Sequence, residues 1–373
     1  MPDLVAVPAI GSGFVDVLRR SWDAGDAVLP LDPRLPDAAV DRLLVAMRPT
    51  VIVDAAGNRR RVEGRPVEES DALVMPTSGT TGEPKGVVLT HDAVAASARA
   101  TSAYLDVDPA TDRWLACLPL AHVGGLSVVT RSLVTGTPFD VLDRFDAAEV
   151  DASDATLVSL VGTALARIDA SRWRRIVLGG SAPPPDRPPH AVATYGLTET
   201  GSGVVYDGWP LDGVELRVVE GEVQVRGPML LRAYRDGTTP FDADGWLATG
   251  DEGSLADDGK LSVAGRRGDM VVTGGQNVWP EPVERRLEQH PGIERAAVIG
   301  RPDPEWGHRV VALVIPTDPG APPTLDELRD WVRDELPVWS APKELELVES
   351  LPMTALGKVR RAALRDGGRP RFG

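Results

Sequence analysis

Apolar residues follow two different spacings along the first 200 positions of the chain. They recur at helical spacing in "FVDVLRRSW" (14–22) and "DAAVDRLLVAM" (37–47), where Asp37 is placed as the N-cap. Continuous apolar runs, "AVLPL" within "AGDAVLPLDPRLP" and "VIV" within "TVIVD", follow these helices and are typical of short buried strands. Helices that alternate with buried strands indicate an α/β fold with a largely parallel sheet.

The alternation continues to about residue 180 and then changes. "HDAVAASARATSAYL" predicts a helix, whereas "RWLACLPL" and "RIVLGG" predict buried strands, the first in the middle of a parallel sheet. From about residue 203, segments such as "VELRVVEGEVQVRG" predict antiparallel β structure, a barrel or a meander. Beyond residue 268, "PEPVERRLEQ", "TLDELRDWVRDELP" and "RVVALVIP" predict a small α+β module. We therefore expect two domains, residues 1–267 and 268–373.

Composition narrows the class of protein and its partners. The 373 residues are 42% apolar and 25% charged, which is typical of a globular protein. A formal net charge of -15 argues against nucleic acid and anionic membranes as partners. The N-terminus has no targeting pattern and no apolar run approaches the length of a membrane span, so we expect a cytoplasmic protein.

The cysteine and histidine content gives no sign of a disulfide or a zinc site. Cys117 is the single cysteine and lies in an apolar run, so it is expected to be buried in a protein of a reducing compartment. The five histidines show no metal-ligand spacing, either among themselves or with Cys117.

The stretch "TSGTTGEPKG" (77–86) is the strongest local signal of chemistry. Its glycines allow the backbone to approach a ligand, while hydroxyls and amides supply hydrogen-bond donors, which suits a phosphate. It is not a Walker A loop, because Pro84 stands before Lys85 where that motif has glycine. Taken alone, the stretch could also be an exposed flexible loop.

Six motifs in order resemble those of the acyl-adenylate-forming superfamily, which includes acyl-CoA synthetases, luciferases and nonribosomal peptide adenylation domains. The motifs are "TSGTTGEPKG", "PLAHVGG" (119–125), "YGLTET" (195–200), "ATGDEG" (248–253), "GRRGDMVVTGGQN" (265–277) and "PMTALGKVRR" (352–361). "AGDAVLPLDPRLP" also resembles an early motif of the family. The resemblance covers nearly the whole chain apart from the first dozen residues.

The resemblance implies an ATP-dependent reaction in two steps. A carboxylate attacks the α-phosphorus of ATP and pyrophosphate leaves, and a thiol such as that of coenzyme A then attacks the acyl-AMP. Mg²⁺ accompanies the ATP. No protein nucleophile is needed, so catalysis consists of positioning and charge stabilisation. The implied fold is a large N-terminal domain of parallel-rich sheets with flanking helices and a β-barrel-like part, followed by a small mobile α+β domain.

The resemblance also implies roles for residues of the ATP site. Tyr195 would stack on adenine, Thr198 would bond the α-phosphate and Glu199 would hold Mg²⁺. Asp251 would accept from the ribose hydroxyls, supported by Arg266. The ATP phosphates and their surroundings would involve Thr77, Ser78, Gly79, Thr80, Thr81, Gly82, Lys85 and Gly180. The plain alternatives are a core tyrosine, a surface glutamate, a turn aspartate and a surface arginine.

The C-terminal motifs imply a moving domain with a catalytic lysine. Lys358 would reach the carboxylate and the α-phosphate during the first step, and Gly268 occupies the hinge position. Gly274 and Gly275 would let the CoA arm pass close to the backbone, although a hairpin turn would also explain them. Pro282 stands where relatives usually have glutamate. The basic tail from Lys358 onwards is expected to be a solvated terminus rather than a nucleic-acid arm.

The acid is not fixed by these motifs. His122, Gly125 and Arg131 fall where the family binds its acyl group, and Arg131 could pair with a second carboxylate. With the short chain, this favours the o-succinylbenzoate–CoA ligases of menaquinone biosynthesis, especially short actinobacterial members. A structural histidine and a surface arginine are the alternatives.

Other functions remain open at this point. The chain could ligate a different aryl or short acyl acid to CoA, or load a carrier protein. A catalytically inactive nucleotide-binding regulator is disfavoured because Lys358, Glu199 and the glycine-rich loop are all present. The oligomeric state is open, with a homodimer as one option.

Overall fold

The structure, a computed structural model, describes residues 1–78, 84–180, 183–353 and 359–365. In chain order the described strands are β1 Leu4–Pro8, β2 Ala27–Leu31, β3 Val51–Val53, β4 Arg59–Arg61, β5 Asp71–Ser78, β6 Pro84–Thr90, β7 Trp114–Ala116, β8 Phe139–Val141, β9 Leu157–Val161, β10 Arg175–Gly179, β11 Ala191–Gly196, β12 Gly203–Tyr206, β13 Trp209–Pro210, β14 Glu215–Val219, β15 Glu222–Arg226, β16 Ala233–Tyr234, β17 Leu247–Leu255, β18 Leu261–Arg266, β19 Val271–Thr273, β20 Gln276–Val278, β21 Ile293–Asp303, β22 Gly307–Pro316 and β23 Glu344–Leu347. The described α-helices are α1 Gly11–Asp23, α2 Asp37–Met47, α3 His91–Tyr104, α4 Val123–Thr135, α5 Ala147–Ala152, α6 Gly162–Leu165, α7 Pro280–Glu288, α8 Leu325–Arg333 and α9 Arg361–Arg365.

Two seven-stranded sheets contain most of the predicted buried strands. The first has the order β16-β6-β5-β2-β1-β3-β4, and the second has the order β13-β12-β11-β10-β9-β7-β8. In the first sheet β2, β1 and β3 run parallel, and β5 joins β2 in parallel. In the second sheet β7 pairs in parallel with both β8 and β9, so the strand predicted from "RWLACLPL" is an interior parallel strand. The α/β prediction is confirmed.

The chain divides into two compact units. The first unit comprises residues 1–216 and 225–248, and the second comprises 217–224 and 249–373. These two units are defined by how compactly their residues pack. The boundary predicted between residues 267 and 268 is instead that of a mobile domain, and it stays a prediction.

The β-rich stretch predicted after residue 203 forms no closed barrel. β14, β15, β17 and β18 form a four-stranded sheet in that order, and β16 joins the first seven-stranded sheet instead. The last sheet has the order β20-β19-β22-β21, with β23 beside β22. Helices α7 and α8 bury Val283, Leu287 and Leu328 against it, which confirms the predicted α+β module.

Helix α2 begins one residue earlier than the sequence predicts. Asp37 is its first residue, and the N-cap is Pro36, which makes no side-chain capping bond. The N-cap prediction for Asp37 was therefore wrong, although an aspartate in the first turn still suits the helix dipole. None of the helices described is both long and apolar enough to cross a membrane.

Candidate active site

The ends of β5 and β6 place the described part of the glycine-rich stretch. Thr77 lies opposite Lys85 in the antiparallel pair, and Thr77 Oγ1 donates to the Lys85 carbonyl at 3.4 Å. Gly79, Thr80, Thr81 and Gly82 lie outside the described residues, as does the side chain of Ser78. The hairpin thus fixes Thr77 and Lys85 at its tip, and the contact of the other residues with phosphates stays a prediction.

A tight turn carries the "YGLTET" residues. Gly196 ends β11, and a Cβ atom there would stand only 2.2 Å from the Ser202 carbonyl oxygen, so the close approach requires glycine. Buried Thr200 closes the turn, because its hydroxyl accepts from Leu197 N at 2.9 Å and donates to Ser202 O at 2.6 Å. Thr198 and Glu199 are both half-buried in this turn.

Tyr234 connects the two motifs. Its hydroxyl donates to Glu199 Oε1 at 3.1 Å, and Lys85 Nζ lies 5.0 Å from the centre of its ring. The structure therefore brings Lys85 to the ring and Glu199 to the hydroxyl of one side chain, although 114 positions separate them in the sequence. Tyr195 pairs with Val205 across β11 and β12 and is half-buried, so it is not a fully buried core tyrosine.

The residues around Glu199 fit a magnesium ion that comes with a nucleotide. Across the described ranges, no group of three or more histidine, cysteine or acidic side chains is arranged to hold a metal by itself. Mg²⁺ prefers one or two carboxylates together with phosphate oxygens and water. Glu199 offers one half-buried carboxylate with a single oxygen engaged by Tyr234, which suits that form of binding.

His122 lies beside a salt bridge between Asp32 and Arg34 of the early motif. His122 Nε2 lies 3.5 Å from Asp32 Oδ2. Arg34 donates two hydrogen bonds to the same carboxylate, from Nε at 2.8 Å and from Nη2 at 2.7 Å. Burial lowers the pKa of His122 below its ordinary value, although the negative charge of Asp32 opposes that shift. Hydrogen bonds from Arg34 lower the pKa of Asp32 despite its burial. His122 is therefore neutral near pH 7.

Asp32→Asn should move the titration of His122 to still lower pH, because the substitution removes the negative charge that favours the imidazolium. The measurement is an NMR titration of the five histidine Cε1 protons. As the pH falls, His122 takes up a proton in the unfolded chain before it does so in the folded chain. This histidine therefore lowers the stability of the folded state as the pH falls below the ordinary histidine pKa.

Asp54→Asn is the matched control, since that exposed aspartate is bonded to Asn58. An unchanged or higher His122 pKa in Asp32→Asn would show that the ion pair does not govern this histidine.

Gly125 and Arg131 lie on α4, which begins directly after His122. A Cβ atom at Gly125 would approach the carbonyl oxygens of Leu118 and Pro119 to 2.5 Å, so the close packing of α4 requires glycine here. The structure excludes a surface position for Arg131, which is 2% exposed and stacks 4.7 Å from the centre of the Trp114 ring. Within the described residues, Arg131 Nε and Nη1 have no hydrogen-bond partner. Arg131 lines a small pocket together with Ser97, Leu126, Ser127, Thr130 and Gly201.

In the second unit, the predicted ribose pair is brought together. Asp251 and Arg266 face each other across β17 and β18, and Arg266 Nη1 lies 3.1 Å from Asp251 Oδ1. Asp251 is buried, and its amide donates to Thr249 Oγ1 at 3.1 Å. Their contact with a ribose stays a prediction.

The predicted CoA glycines form a hairpin turn between β19 and β20. Gly274 and Gly275 have φ angles of +56° and +77°, which only glycine adopts readily in such a two-residue turn. A side chain at Gly274 would also meet the Trp306 ring at 2.7 Å. The turn and the packing alone explain these glycines, and their role toward CoA stays a prediction. Gly180, at the end of β10, has φ +90° and likewise requires glycine.

The predicted hinge is tied to the end of the described chain. Gly268 has open space where a Cβ would lie, and its carbonyl accepts from Arg365 Nη1 at 3.2 Å. Arg361 pairs with Asp269 at 3.2 Å and with Glu284 at 2.5 Å, and Arg361 and Glu284 are each 11% exposed in their side chains. The expectation of a solvated basic tail is thus wrong for Arg361, because two carboxylates hold it. Lys358 lies outside the described residues.

Comparison with known proteins identifies the family. A family profile described as "AMP-binding enzyme" matches residues 54–235, and one described as "AMP-binding enzyme C-terminal domain" matches residues 282–358. A protein of Mycobacterium tuberculosis named probable 2-succinylbenzoate–CoA ligase is 40% identical over 334 residues, which cover 81% of this chain and 85% of that protein. The chain belongs to the AMP-binding enzyme family.

Solved members of the AMP-binding enzyme family share the fold. The Bacillus subtilis o-succinylbenzoate CoA synthetase in complex with its acyl-adenylate intermediate has a TM-score of 0.88 and 26% identity, and the match covers 99% of this chain and 89% of that one. The same synthetase with ATP and a magnesium ion has a TM-score of 0.86 and 27% identity, with 97% and 89% covered. The family resemblance given by the six motifs is confirmed.

Sequence reasoning missed four residues that organise this candidate site. Asp32 and Arg34 were within a motif whose resemblance was noted, but the sequence did not indicate their contact with His122. Thr200 is the last letter of "YGLTET" and passed without a role. Tyr234 carried no local signal at all, since its contacts come from strands distant in the chain.

Proposed function

We propose that this chain ligates o-succinylbenzoate to coenzyme A through an acyl-AMP intermediate, as a step of menaquinone biosynthesis. The observation that carries the proposal is the similarity to the Mycobacterium tuberculosis ligase over 81% of this chain and 85% of that one. The arrangement of Lys85, Tyr234 and Glu199 agrees with a site for ATP. The reaction is placed in the cytoplasm, which the buried, unpaired Cys117 suits, and a homodimer stays a prediction.

The first step needs charge neutralisation and alignment rather than a protein nucleophile. A substrate carboxylate oxygen forms a bond to the α-phosphorus of ATP, and the bond from that phosphorus to the bridging oxygen breaks to release pyrophosphate. Lys85 and Thr77 hold the departing phosphates, Thr198 donates to the α-phosphate, and Lys358 stabilises the charge that develops there. Glu199 would hold Mg²⁺, which when bound would supply positive charge to neutralise the phosphates.

In the second step, the thiol of CoA replaces AMP on the acyl group. The CoA sulfur bonds to the acyl carbon as the thiol proton passes to water, and the bond from that carbon to the bridging oxygen breaks, so AMP leaves with the former carboxylate oxygen. His122, which burial keeps neutral, adds no charge beside the acyl group. Asp251 and Arg266 hold the ribose of the leaving AMP.

The second carboxylate of o-succinylbenzoate is assigned to Arg131. A buried guanidinium without an anion is costly, so its unpartnered Nε and Nη1 favour a carboxylate as ligand. Ser97, Ser127 and Thr130 line a small pocket together with Arg131. The Trp114 ring, whose centre lies 4.7 Å from the guanidinium carbon, attracts the cation to this position.

Pyrophosphate release tests the proposal across a panel of acids, each with ATP and Mg²⁺ and with or without CoA. We expect CoA-dependent turnover to be strongest with o-succinylbenzoate. Arg131→Met, which keeps the buried volume but not the charge, should lower kcat/KM for this acid by roughly 10- to 100-fold, since hydrogen bonds between charged groups are lost. Arg131→Ala should lose activity as well.

The control arms separate the alternatives. The activity of Arg131→Met with benzoate, which has one carboxylate, should match that of the wild type. Activity with monocarboxylates only would discard o-succinylbenzoate and leave Arg131 with a packing role. Acyl-AMP formation that needs a carrier protein instead of CoA would reassign the thiol.

A further inference from the structure

One tyrosine outside all six motifs contacts residues from two of them. Tyr234 belongs to β16, where its backbone pairs with Val87 of β6, two residues after Lys85. Its hydroxyl reaches Glu199 Oε1 at 3.1 Å, and its ring lies under Lys85 Nζ at 5.0 Å. We propose that Tyr234 is a positioning residue, which orients the Glu199 carboxylate toward the divalent cation of ATP and holds the Lys85 ammonium on its ring.

Backbone hydrogen bonds fix Tyr234 relative to both motifs. The Leu231 amide donates to the Glu199 carbonyl at 2.7 Å, so the segment before Tyr234 is attached to the turn that carries the glutamate. The Tyr234 amide donates to Thr238 O at 2.8 Å, and Asp236 accepts from the amide and hydroxyl of Thr238 at 2.8 and 2.7 Å. The tyrosine therefore lies in a turn that these hydrogen bonds stabilise.

The chemistry of the three groups explains why a tyrosine is useful here. A glutamate side chain has several rotamers, and a hydrogen bond to one oxygen selects an orientation for the other. If the ammonium and the carboxylate paired directly, each would neutralise the other. The phosphates would then lose the positive charge of the lysine, and the cation would lose the negative charge of the glutamate. An aromatic face attracts the ammonium without neutralising it, and a phenol holds the carboxylate without adding a positive charge.

Direct binding of Mn²⁺ tests this role, which rests on the proposed function of Glu199. The full-length chain is saturated with α,β-methylene-ATP, which cannot be cleaved at the reacting bond, and Mn²⁺ is titrated by electron paramagnetic resonance. Tyr234→Phe keeps the ring and removes the hydroxyl, so we expect Mn²⁺ to bind about tenfold more weakly. Binding of the analogue in EDTA should stay unchanged. In pyrophosphate release, the Mg²⁺ concentration for half-maximal rate should rise by a similar factor, while kcat at saturating Mg²⁺ stays within twofold.

Tyr234→Leu removes the ring as well and should weaken binding of the analogue in EDTA severalfold, because Lys85 loses its support. Tyr104→Phe is the matched control, since Tyr104 donates to the Tyr206 carbonyl at 3.3 Å and contacts neither motif. Its Mn²⁺ affinity should equal that of the wild type.

Glu199→Gln separates failure of this role from failure of the proposed function. One outcome is that Glu199→Gln weakens Mn²⁺ binding while Tyr234→Phe binds Mn²⁺ like the wild type and has an unchanged unfolding midpoint. In that case the positioning role of Tyr234 is wrong and the proposed function stands. If neither substitution weakens Mn²⁺ binding, the cation assignment of Glu199 is wrong and the role of Tyr234 is wrong with it.

Discussion

Lys358→Ala is expected to slow adenylation about a thousandfold and to leave thioester formation from supplied acyl-AMP nearly unchanged. The reason is that a donor acting mainly on charge developed in the transition state contributes about 3 to 4 kcal/mol to that step alone. The measurement is ATP–pyrophosphate exchange for the first step and CoA thioester formation from synthetic acyl-AMP for the second.

Lys260→Ala is the matched control for Lys358→Ala. Lys260 is an exposed lysine of the second unit, and its removal should change neither half-reaction by more than about twofold. An equal loss of both half-reactions in Lys358→Ala would contradict the assignment, because it would show that the lysine supports the structure or a step common to both.

Arg361→Ala should lower the free energy of unfolding by about 3–5 kcal/mol, the effect expected when one partner of a buried ion pair is removed. Glu284 would lose the charge that faces it, and burial already raises the pKa of this carboxyl although Arg361 opposes the shift. Asp269, beside the predicted hinge, would keep its pair with Arg365. The measurement is urea unfolding followed by tryptophan fluorescence.

Arg365→Ala provides the comparison, because Arg365 also pairs with Asp269 but is 38% exposed in its side chain. An exposed pair contributes at most about 1 kcal/mol. The double variant Glu284→Gln with Arg361→Met removes both charges and should recover part of the loss. If Arg361→Ala and Arg365→Ala lower stability equally, the buried position of Arg361 does not determine the effect.

The local elements were predictable because burial in a sheet leaves a continuous apolar run. The strands β2, β7 and β10 and the helices α1 and α3 follow from such runs and from helical spacing. The motifs themselves could be found in the sequence because each is a short continuous stretch, whereas the roles of their residues toward ATP and CoA stay predictions. Gly196, for example, is needed locally because of its close approach to Ser202.

The contacts between motifs were not predictable in this way. Strand β16 has two residues and pairs with a strand more than 140 positions earlier, so no periodicity marks it. The bonds of Tyr234 and Asp32 arise only when distant elements pack together. Arg131 and Arg361 illustrate a related limit, because an arginine in a sequence gives no sign of whether it is solvated or buried against a partner.

The place of β1 and β2 inside the first sheet bears on truncation of this chain. In the order β16-β6-β5-β2-β1-β3-β4, deletion of the first 36 residues would leave β16-β6-β5 and β3-β4 as separate fragments. Every one of the six motifs would survive, yet β5 and β3 would each expose an unpaired edge open to intermolecular strand pairing. Such a fragment would keep the residues of all six motifs, would lose the Asp32–Arg34 pair that lies beside His122, and would aggregate.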